Sequence, residues 1–205
     1  MGVYLTYRGN SKANAATGTV PDENYAREVM QLFTIGLHQL NADGSVKTDG
    51  AGQPLESYSQ DDVTNLARVF TGYDYDTRQN QPTTLGSSTV PGLQQALLPM
   101  AFNAARHSTL AATFLGTTVA AGTSGPAALK AALDTLFNHP NVGPFIGRQL
   151  IQRLVTSNPS PAYVGRVAAA FADNGSGTRG DLRAVIATVL LDPEARGAAG
   201  LASPQ

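Results

Sequence analysis

Apolar residues recur at the three- and four-residue spacing of a helix in a stretch that begins near Asp22. The expected buried stripe consists of Tyr25, Val29, Leu32 and Phe33. The negative charges of Asp22 and Glu23 suit the positive end of a helix dipole. Glu23 and Arg27 are also spaced as a supporting i, i+4 ion pair. The pattern therefore predicts a first amphipathic helix with a polar first half.

A second helical pattern follows in the segment SQDDVTNLARVFTG. Ser59 and Asp62 have the spacing of a capping box, and Gly72 marks the end of the helix. The expected buried stripe consists of Val63, Leu66, Ala67 and Phe70. The capping box gives Asp62 a structural role, whereas Asp61 has none and shares a helix face with Arg68.

Between these two helices the chain is dense in Asp, Asn and Gly, which predicts a small β-hairpin. The turn falls at Asp43 and Gly44, because Asp-Gly adopts the backbone angles that tight hairpin turns require. The oxygens of Asn41, Asp43 and Ser45 could also suggest a calcium loop. An EF-hand loop needs glycine at its sixth position, however, and Gly44 would be fourth. No metal site is predicted.

Four consecutive amphipathic patterns fill the last 80 residues, with short connections between them. Such a pattern is typical of an antiparallel helical bundle. The expected fold is therefore mainly α, with a helical bundle, a small hairpin insertion and an irregular central segment. The expected divisions are a loose leader (1–20) and a single domain (21–205), composed of a helical pair with the hairpin (21–72), the irregular segment (73–123), the bundle (124–196) and a tail (197–205).

Composition excludes several functional classes. The 14 Lys and Arg nearly balance the 15 Asp and Glu, so no net field attracts nucleic acid. The absence of cysteine excludes disulfides and thiolate chemistry. No apolar run approaches the ~18 residues of a membrane-spanning helix. Phosphate loops, dinucleotide fingerprints, zinc helices and serine nucleophile elbows are also absent from the sequence, so no cofactor is expected.

The groups that remain for acid–base chemistry are scattered carboxylates and histidines. They are Glu28, His38, Asp61, His107 and His139. Two carboxylates could hydrolyse a glycosidic bond if the fold held them ~5 to 10 Å apart across a cleft. His38 and His139 each lie near the expected end of a helix, where the dipole favours a positive imidazole and gives them a structural explanation.

Four segments together resemble a known family, the bacterial domain-of-unknown-function family 1800. They are NYAREVMQLFTIG, YSQDDVTNLARVFTGY, PMAFNAARHSTLAATFLG and a long C-terminal stretch from HPNVGPFIGRQLIQRL to LLDPEAR. The resemblance covers about residues 21 to 196, in the family's order and spacing. It implies a protein without an assigned activity that is exported or periplasmic when full length. It also implies that this chain corresponds to the C-terminal part of longer members.

The resemblance draws attention to particular residues. Asn24, Arg27 and Glu28 fall in the family's N-[YF]-A-R-E signature, and Asp61 in its Asp-Asp-Val signature. His107 matches the family's histidine, although Ser108 stands where an acidic residue is common. The alternative for Glu28 is an ion pair to Arg27 or to the arginine of the second helix.

These observations lead to one leading hypothesis and two alternatives. The leading hypothesis is an exported or envelope-associated protein of this family with an acid–base cleft, whose catalytic residues are Glu28, Asp61 and His107 and whose substrate-binding residues are Asn24, Arg27 and Arg68. One alternative is a hydrolase that acts on glycans or esters through those carboxylates. The other is a non-catalytic binding or scaffold module that binds a protein partner or a second copy through an exposed apolar face.

Overall fold

The computed structural model describes residues 2–78, 83–90 and 98–197, and these residues confirm a mainly α fold with a small hairpin. The α-helices are α1 (Asn24–Gln31), α2 (Gln60–Val69), α3 (Gly125–Asn138), α4 (Val142–Leu154), α5 (Pro161–Ala172), α6 (Leu182–Leu191) and α7 (Pro193–Arg196). The strands are β1 (Tyr73–Asp74), β2 (Thr83–Leu85), β3 (Ser88–Val90), β4 (Ala101–Phe102), β5 (Ala112–Phe114) and β6 (Thr117–Val119). The expected tail lies outside the described residues except for Gly197, as do positions 79–82 and 91–97 of the expected irregular segment.

The chain forms two compact units, each built from two stretches of sequence. Unit 1 comprises Met1–Glu28 and Ser59–Asp134, and unit 2 comprises Val29–Tyr58 and Thr135–Gln205. Within the described residues, the strands form three antiparallel pairs, β1 with β4, β2 with β3 and β5 with β6. All three pairs belong to unit 1.

Helix α2 is the core helix of unit 1, and its predicted cap and stripe are both confirmed. Its stripe residues are at most 1% exposed, and they are Val63, Leu66, Ala67 and Phe70. Ser59 and Asp62 form the capping box. The second oxygen of the Asp62 carboxylate accepts the N–H of Leu115 at 2.7 Å, in the turn between β5 and β6. Leu115 has φ of +47°, a strained value for a non-glycine residue, so Asp62 fixes both the start of α2 and this turn.

The N-terminal segment contributes to the core of unit 1. The Tyr7 ring stacks on the Tyr25 ring at 4.4 Å and meets the edge of Phe70 at 5.7 Å. Burial, followed by the neighbouring tyrosines, raises the pKa of Tyr7 far above its usual value. The N–H of Gly9 donates to the carbonyl of Tyr73 at 2.8 Å, and Asn10 is buried. The expectation of a loose leader did not include these contacts, which hold residues 7–10 beside β1.

The predicted stripe of helix α1 is wrong in its second half. Leu32 and Phe33 are 50% and 40% exposed. The helix ends at Gln31, because the N–H groups of Ile35 and Gly36 both donate to the carbonyl of residue 30 and turn the chain. The buried residues are instead Ala26, Val29, Met30 and Ile35. The helical period therefore stops one turn earlier than the sequence pattern suggested.

Unit 2 contains the predicted hairpin, to which a third segment is added. The N–H of Gln39 donates to the carbonyl of Leu55, the N–H of Leu55 to Lys47, and the N–H of Lys47 to Gln39, at 2.8 to 2.9 Å. The three segments around residues 39, 47 and 55 thus bond to one another in a closed ring. The buried Asn141 side chain ties this ring to the start of α4, since it accepts the N–H of Leu40 at 3.0 Å.

Helices α4, α5 and α6 pack against one another in unit 2. Glycine on α4 permits the close approach, since a Cβ at Gly147 would lie 3.0 Å from Val167 on α5. The buried Tyr163 hydroxyl on α5 donates to the carbonyl of Val189 on α6. The fourth predicted member of the bundle is α3. The C-terminal ends of α3 and α5 approach each other, with the Phe137 and Phe171 rings 5.9 Å apart.

Candidate functional site

The signature residues of α1 lie in a hydrogen-bonded cluster that joins α1 to α2 within unit 1. The Arg27 guanidinium lies 3.5 Å from the Glu23 carboxylate, as the i, i+4 spacing predicted, and donates to Gln60 at 2.9 Å. Gln60 and Thr64 on α2 both donate to Glu23, at 2.8 and 2.7 Å. Asn24 is exposed beside this cluster. These bonds give Arg27 a positioning role between the two helices.

Glu28 does not pair with either arginine that the sequence suggested. Arg27 contacts Glu23, while Arg68 donates to the Asn65 side chain at 2.8 Å and to a main-chain carbonyl at 3.4 Å. Within the part of the chain that the structure describes, the half-buried Glu28 carboxylate has no ion pair.

The two adjacent aspartates of α2 have different environments. Asp61 is exposed, and among the described residues its side chain has no hydrogen bond; its main-chain carbonyl accepts the Asn65 side chain at 2.8 Å. Asp62 is the capping residue. Burial acts to raise the pKa of Asp62, but hydrogen bonds from Ser59 and from the N–H of Leu115 outweigh it and lower the pKa. Asp62 is therefore a fixed anion with a structural role.

His107 is buried, at 5% exposure, and a main-chain group determines its tautomer. Its Nδ1 lies 2.9 Å from the carbonyl oxygen of Thr71, which can only accept a hydrogen bond. Nδ1 must therefore carry the hydrogen, and Nε2 of the neutral ring is left as the proton acceptor. The Thr71 hydroxyl also accepts the N–H of Ser108 at 2.9 Å, which holds the main chain beside the ring.

Two of the predicted site residues, Arg68 and His107, line one small cavity in unit 1. Its volume is about 10 Å³, roughly the space that one water molecule needs. Glu28 and Asp61 are not part of its lining, so the structure does not bring the predicted catalytic carboxylates and His107 together in this cavity.

A second and much larger cleft in unit 1 is open to solvent and has a volume of about 560 Å³. That volume is within the range of about 300 to 1,000 Å³ that small-molecule sites occupy. The cleft is lined by Arg8, Asp74, Tyr75, Asp76, Thr77, Arg78, Ala101, Phe102, Asn103 and Arg106. The sequence did not single out any of these residues as part of a site.

One part of this cleft is an aspartate held between two arginines. Asp74 accepts from Arg8 at 3.0 Å and from Arg106 at 2.9 Å. Burial acts to raise the pKa of Asp74, but the N–H of Tyr75 and the two guanidinium groups outweigh it and lower the pKa. Arg106 is the last residue of a 3₁₀ turn capped by Asn103 and also donates to Ser11 at 2.9 Å. The Arg8 guanidinium lies 4.4 Å from the centre of the Tyr75 ring.

Another part of the cleft is a second pair, Asp76 with Arg78. The Arg78 guanidinium donates to both oxygens of the buried Asp76 carboxylate, at 2.9 and 2.5 Å. The N–H of Arg78 also donates to Asp76, at 3.1 Å. The Arg78 hydrogen bonds lower the pKa of Asp76 to about 2. The Arg78 side chain is 80% exposed, so its unused donors face solvent.

The alternation Tyr-Asp-Tyr-Asp-Thr-Arg at 73–78 is the sequence signal that could have indicated this cleft. A strand with this alternation places Asp74, Asp76 and Arg78 on one side. The partners of Asp74 could not be inferred, because Arg8 and Arg106 lie 66 and 32 positions away along the chain.

The described ranges contain neither a metal-ligand cluster nor a membrane-spanning helix. No group of three or more His, Asp or Glu residues in 2–78, 83–90 and 98–197 is placed to hold a metal ion. Within the same ranges, no helix has both the length and the apolar composition to cross a bilayer.

Comparison with known proteins gives a family match. The family model described as "Protein of unknown function (DUF1800)" matches residues 1–205. No curated protein and no solved structure matches the chain.

Proposed function

Because this chain belongs to the DUF1800 family, whose description assigns no activity, we propose its function from its own side chains: it is a binding module whose ligand occupies the arginine-lined cleft of unit 1. The observation that carries this proposal is a cleft of about 560 Å³ lined by three arginines and two aspartates. Concave sites of this size with a few convergent polar groups are the usual location of small-molecule binding.

The roles of the family signature residues support binding over catalysis. Arg27 and Glu23 connect α1 to α2, and Asp62 caps α2 and holds the β5–β6 turn. A signature used in this way keeps helices and turns in register without taking part in a reaction. The side chains of Asp74 and Arg106, which line the cleft, are then the ones that face a ligand.

Ligand titrations followed by two-dimensional NMR test the binding function. The full chain is labelled with ¹⁵N and titrated with small neutral, cationic and anionic compounds. The proposal expects at least one compound to shift resonances of Tyr75, Arg78, Asn103 and Arg106 while those of α6 stay unchanged. A panel that leaves these four residues unaffected would refute the binding proposal.

A second candidate function is acid–base hydrolysis of glycans or esters, with Glu28, Asp61 and His107 as catalytic residues and Asn24, Arg27 and Arg68 as substrate-binding residues. The Thr71 carbonyl favours this candidate, because it leaves Nε2 of His107 as a proton acceptor, and His107 and Arg68 line the same cavity.

The matched variant for this candidate is His107→Asn. The asparagine amide can still donate to the Thr71 carbonyl, but nothing replaces Nε2, so the fold should be retained and turnover lost. Glu28→Gln should likewise retain the fold and lose turnover. The substrates are nitrophenyl esters and glycosides, and wild-type protein that hydrolyses none of them would exclude this candidate.

We also propose an interaction surface on α6 for the scaffold role. Leu182, Ile186 and Leu190 recur one turn apart on this helix and are 56%, 41% and 47% exposed. Exposed apolar stripes of this kind are typical of protein contacts, and we assign a second copy of the chain as the occupant. Sedimentation should show a dimer that Ile186→Lys dissociates, and a wild-type monomer at high concentration would refute it.

Export is proposed on the family resemblance. Fractionation of cells that express the complete natural reading frame tests it, with the protein expected in the periplasmic or envelope fraction. Recovery in the cytosolic fraction alone would contradict this proposal.

A further inference from the structure

We infer that the ligand of the unit 1 cleft is a monoanionic saccharide of the uronic acid class. This inference rests on the proposed binding function and names the chemistry of the ligand. It is argued from the unused hydrogen-bond donors of the cleft, from its net charge and from the character of its wall.

The donors and acceptors of the cleft are not equally occupied. Both oxygens of Asp74 and both oxygens of Asp76 already accept hydrogen bonds from arginines. An arginine has five N–H donors, and of these Arg8 uses one, Arg78 two and Arg106 three within the described residues. A group that only accepts hydrogen bonds, such as a carboxylate, complements these remaining donors.

The charge of the cleft fits one negative charge on the ligand. Three arginines and two aspartates line it, which leaves one positive charge in excess. Both aspartates have lowered pKa values and are anions at neutral pH. A single carboxylate neutralises this excess. A phosphate monoester, which carries close to two charges at neutral pH, would exceed it.

The remaining wall suits a ring that carries hydroxyl groups. Tyr75, Ala101 and Phe102 provide an apolar surface, against which the C–H face of a sugar ring can pack. The Asn103 side-chain oxygen accepts the N–H of Ala105 at 2.9 Å, and its amide N–H groups have no acceptor among the described residues, so this lining residue has donors left for a ligand. Thr77 adds a hydroxyl. Charge and wall together select a ring polyol with one carboxylate.

Titration of the full chain with four compounds tests the inference. The compounds are glucuronate, glucose, acetate and glucose 6-phosphate, and affinity is measured by calorimetry. The Nε–H resonances of Arg8, Arg78 and Arg106 are followed by NMR. We expect glucuronate to shift these resonances and to bind at least about tenfold more tightly than glucose or acetate, since a charge-assisted hydrogen bond contributes roughly a tenfold to hundredfold factor. If glucose 6-phosphate binds more tightly than glucuronate, the assignment of a monoanionic ligand is wrong.

Three variants tie the affinity to the cleft. Arg8→Gln removes the guanidinium with the most unused donors and should weaken glucuronate binding about tenfold to hundredfold. Arg8→Lys keeps the charge without the planar fork and should have an intermediate affinity. Arg183→Gln removes the same charge from an exposed position on α6 and should leave the affinity unchanged. Melting temperatures equal to that of the wild type would show that the fold of all three variants is intact.

The outcomes separate this inference from the binding proposal. If glucose binds as tightly as glucuronate and shifts the same resonances, the assignment of a uronic acid is wrong while the binding function stands. If neither these four compounds nor the neutral, cationic and anionic panel shifts any cleft resonance, both the uronic acid assignment and the binding function are refuted. An Arg8→Gln variant that binds glucuronate as tightly as the wild type would overturn the assigned role of the arginine.

Discussion

Replacement of Asn141 by alanine should destabilise unit 2 by more than the replacement of any exposed asparagine. Asn141 is 1% exposed at the start of α4. Its amide nitrogen donates to the carbonyls of Ile35 and His38, at 2.8 Å each, and its oxygen accepts the N–H of Leu40 at 3.0 Å. The variant removes all three bonds and leaves three main-chain groups without this partner.

The magnitude follows from the burial of those three groups. Ile35 is fully buried, so its unpaired carbonyl should cost about 1 to 3 kcal/mol. His38 and Leu40 are half-buried, so water can replace part of the lost bonding and each should cost about 1 kcal/mol. The total is about 3 to 5 kcal/mol, a large fraction of the roughly 5 to 15 kcal/mol that stabilises a typical domain.

Urea unfolding followed by circular dichroism measures this free energy. The matched control is Asn41→Ala, in the exposed hairpin turn, where the side chain donates to Ser45 at 3.0 Å and to no other described residue. The control should cost less than about 1 kcal/mol. An Asn141→Ala variant within about 1 kcal/mol of the wild type would show that the side chain does not anchor the three bonded segments to α4.

Three further changes test other parts of the fold. Burial, and then the charge of a nearby lysine, lowers the pKa of His139 below 6.5, so the unfolded chain binds the proton more readily than the folded chain. The free energy of unfolding should therefore fall as the pH drops through the window just below 6.5. In urea unfolding at pH 7.5 and 5.5, His139→Gln should remove this pH dependence. Asp62→Ala removes the capping box and the bond to the β5–β6 turn and should cost about 2 to 3 kcal/mol in the same assay. Asp61→Ala should stay within about 0.5 kcal/mol of the wild type, and equal costs for the two variants would contradict the structural role of Asp62. At Gly44, φ is +77° and an added Cβ would lie 2.8 Å from a side chain of α5, whereas at Gly52 φ is +80° and the surroundings are open. Gly44→Ala should therefore lower the melting temperature more than Gly52→Ala, and an equal decrease would show that contact with α5 does not contribute.

The features that the sequence predicted correctly are those that depend on neighbouring residues. The capping box of α2 lies within four residues, and the hydrogen bonds of the predicted turn, which join Asn41 to Gly44 and Ser45, lie within five. Their hydrogen bonds are local, so residue type and spacing determine them. The stripe of α1 was only half correct because Leu32 lies beyond the end of the helix, and the turn that ends it depends on bonds to the carbonyl of residue 30.

The larger cleft could not be predicted because its charges come from distant parts of the chain. Arg8, Asp74 and Arg106 meet only once the N-terminal segment lies beside β1. The environment of His107 is equally non-local, since its partner Thr71 lies 36 positions earlier. A single sequence shows that such groups exist, but their separation in space follows from the fold.

The position of a bound anion in the cleft tests the central claim most directly. A crystal of the full chain grown with saturating glucuronate should show the carboxylate within hydrogen-bond distance of the terminal nitrogens of Arg8. The sugar ring should lie against Tyr75 or Phe102, with Asp74 still held between its two arginines. Glucuronate bound elsewhere on the chain, with the cleft arginines in contact only with Asp74, Asp76 and solvent, would contradict the account.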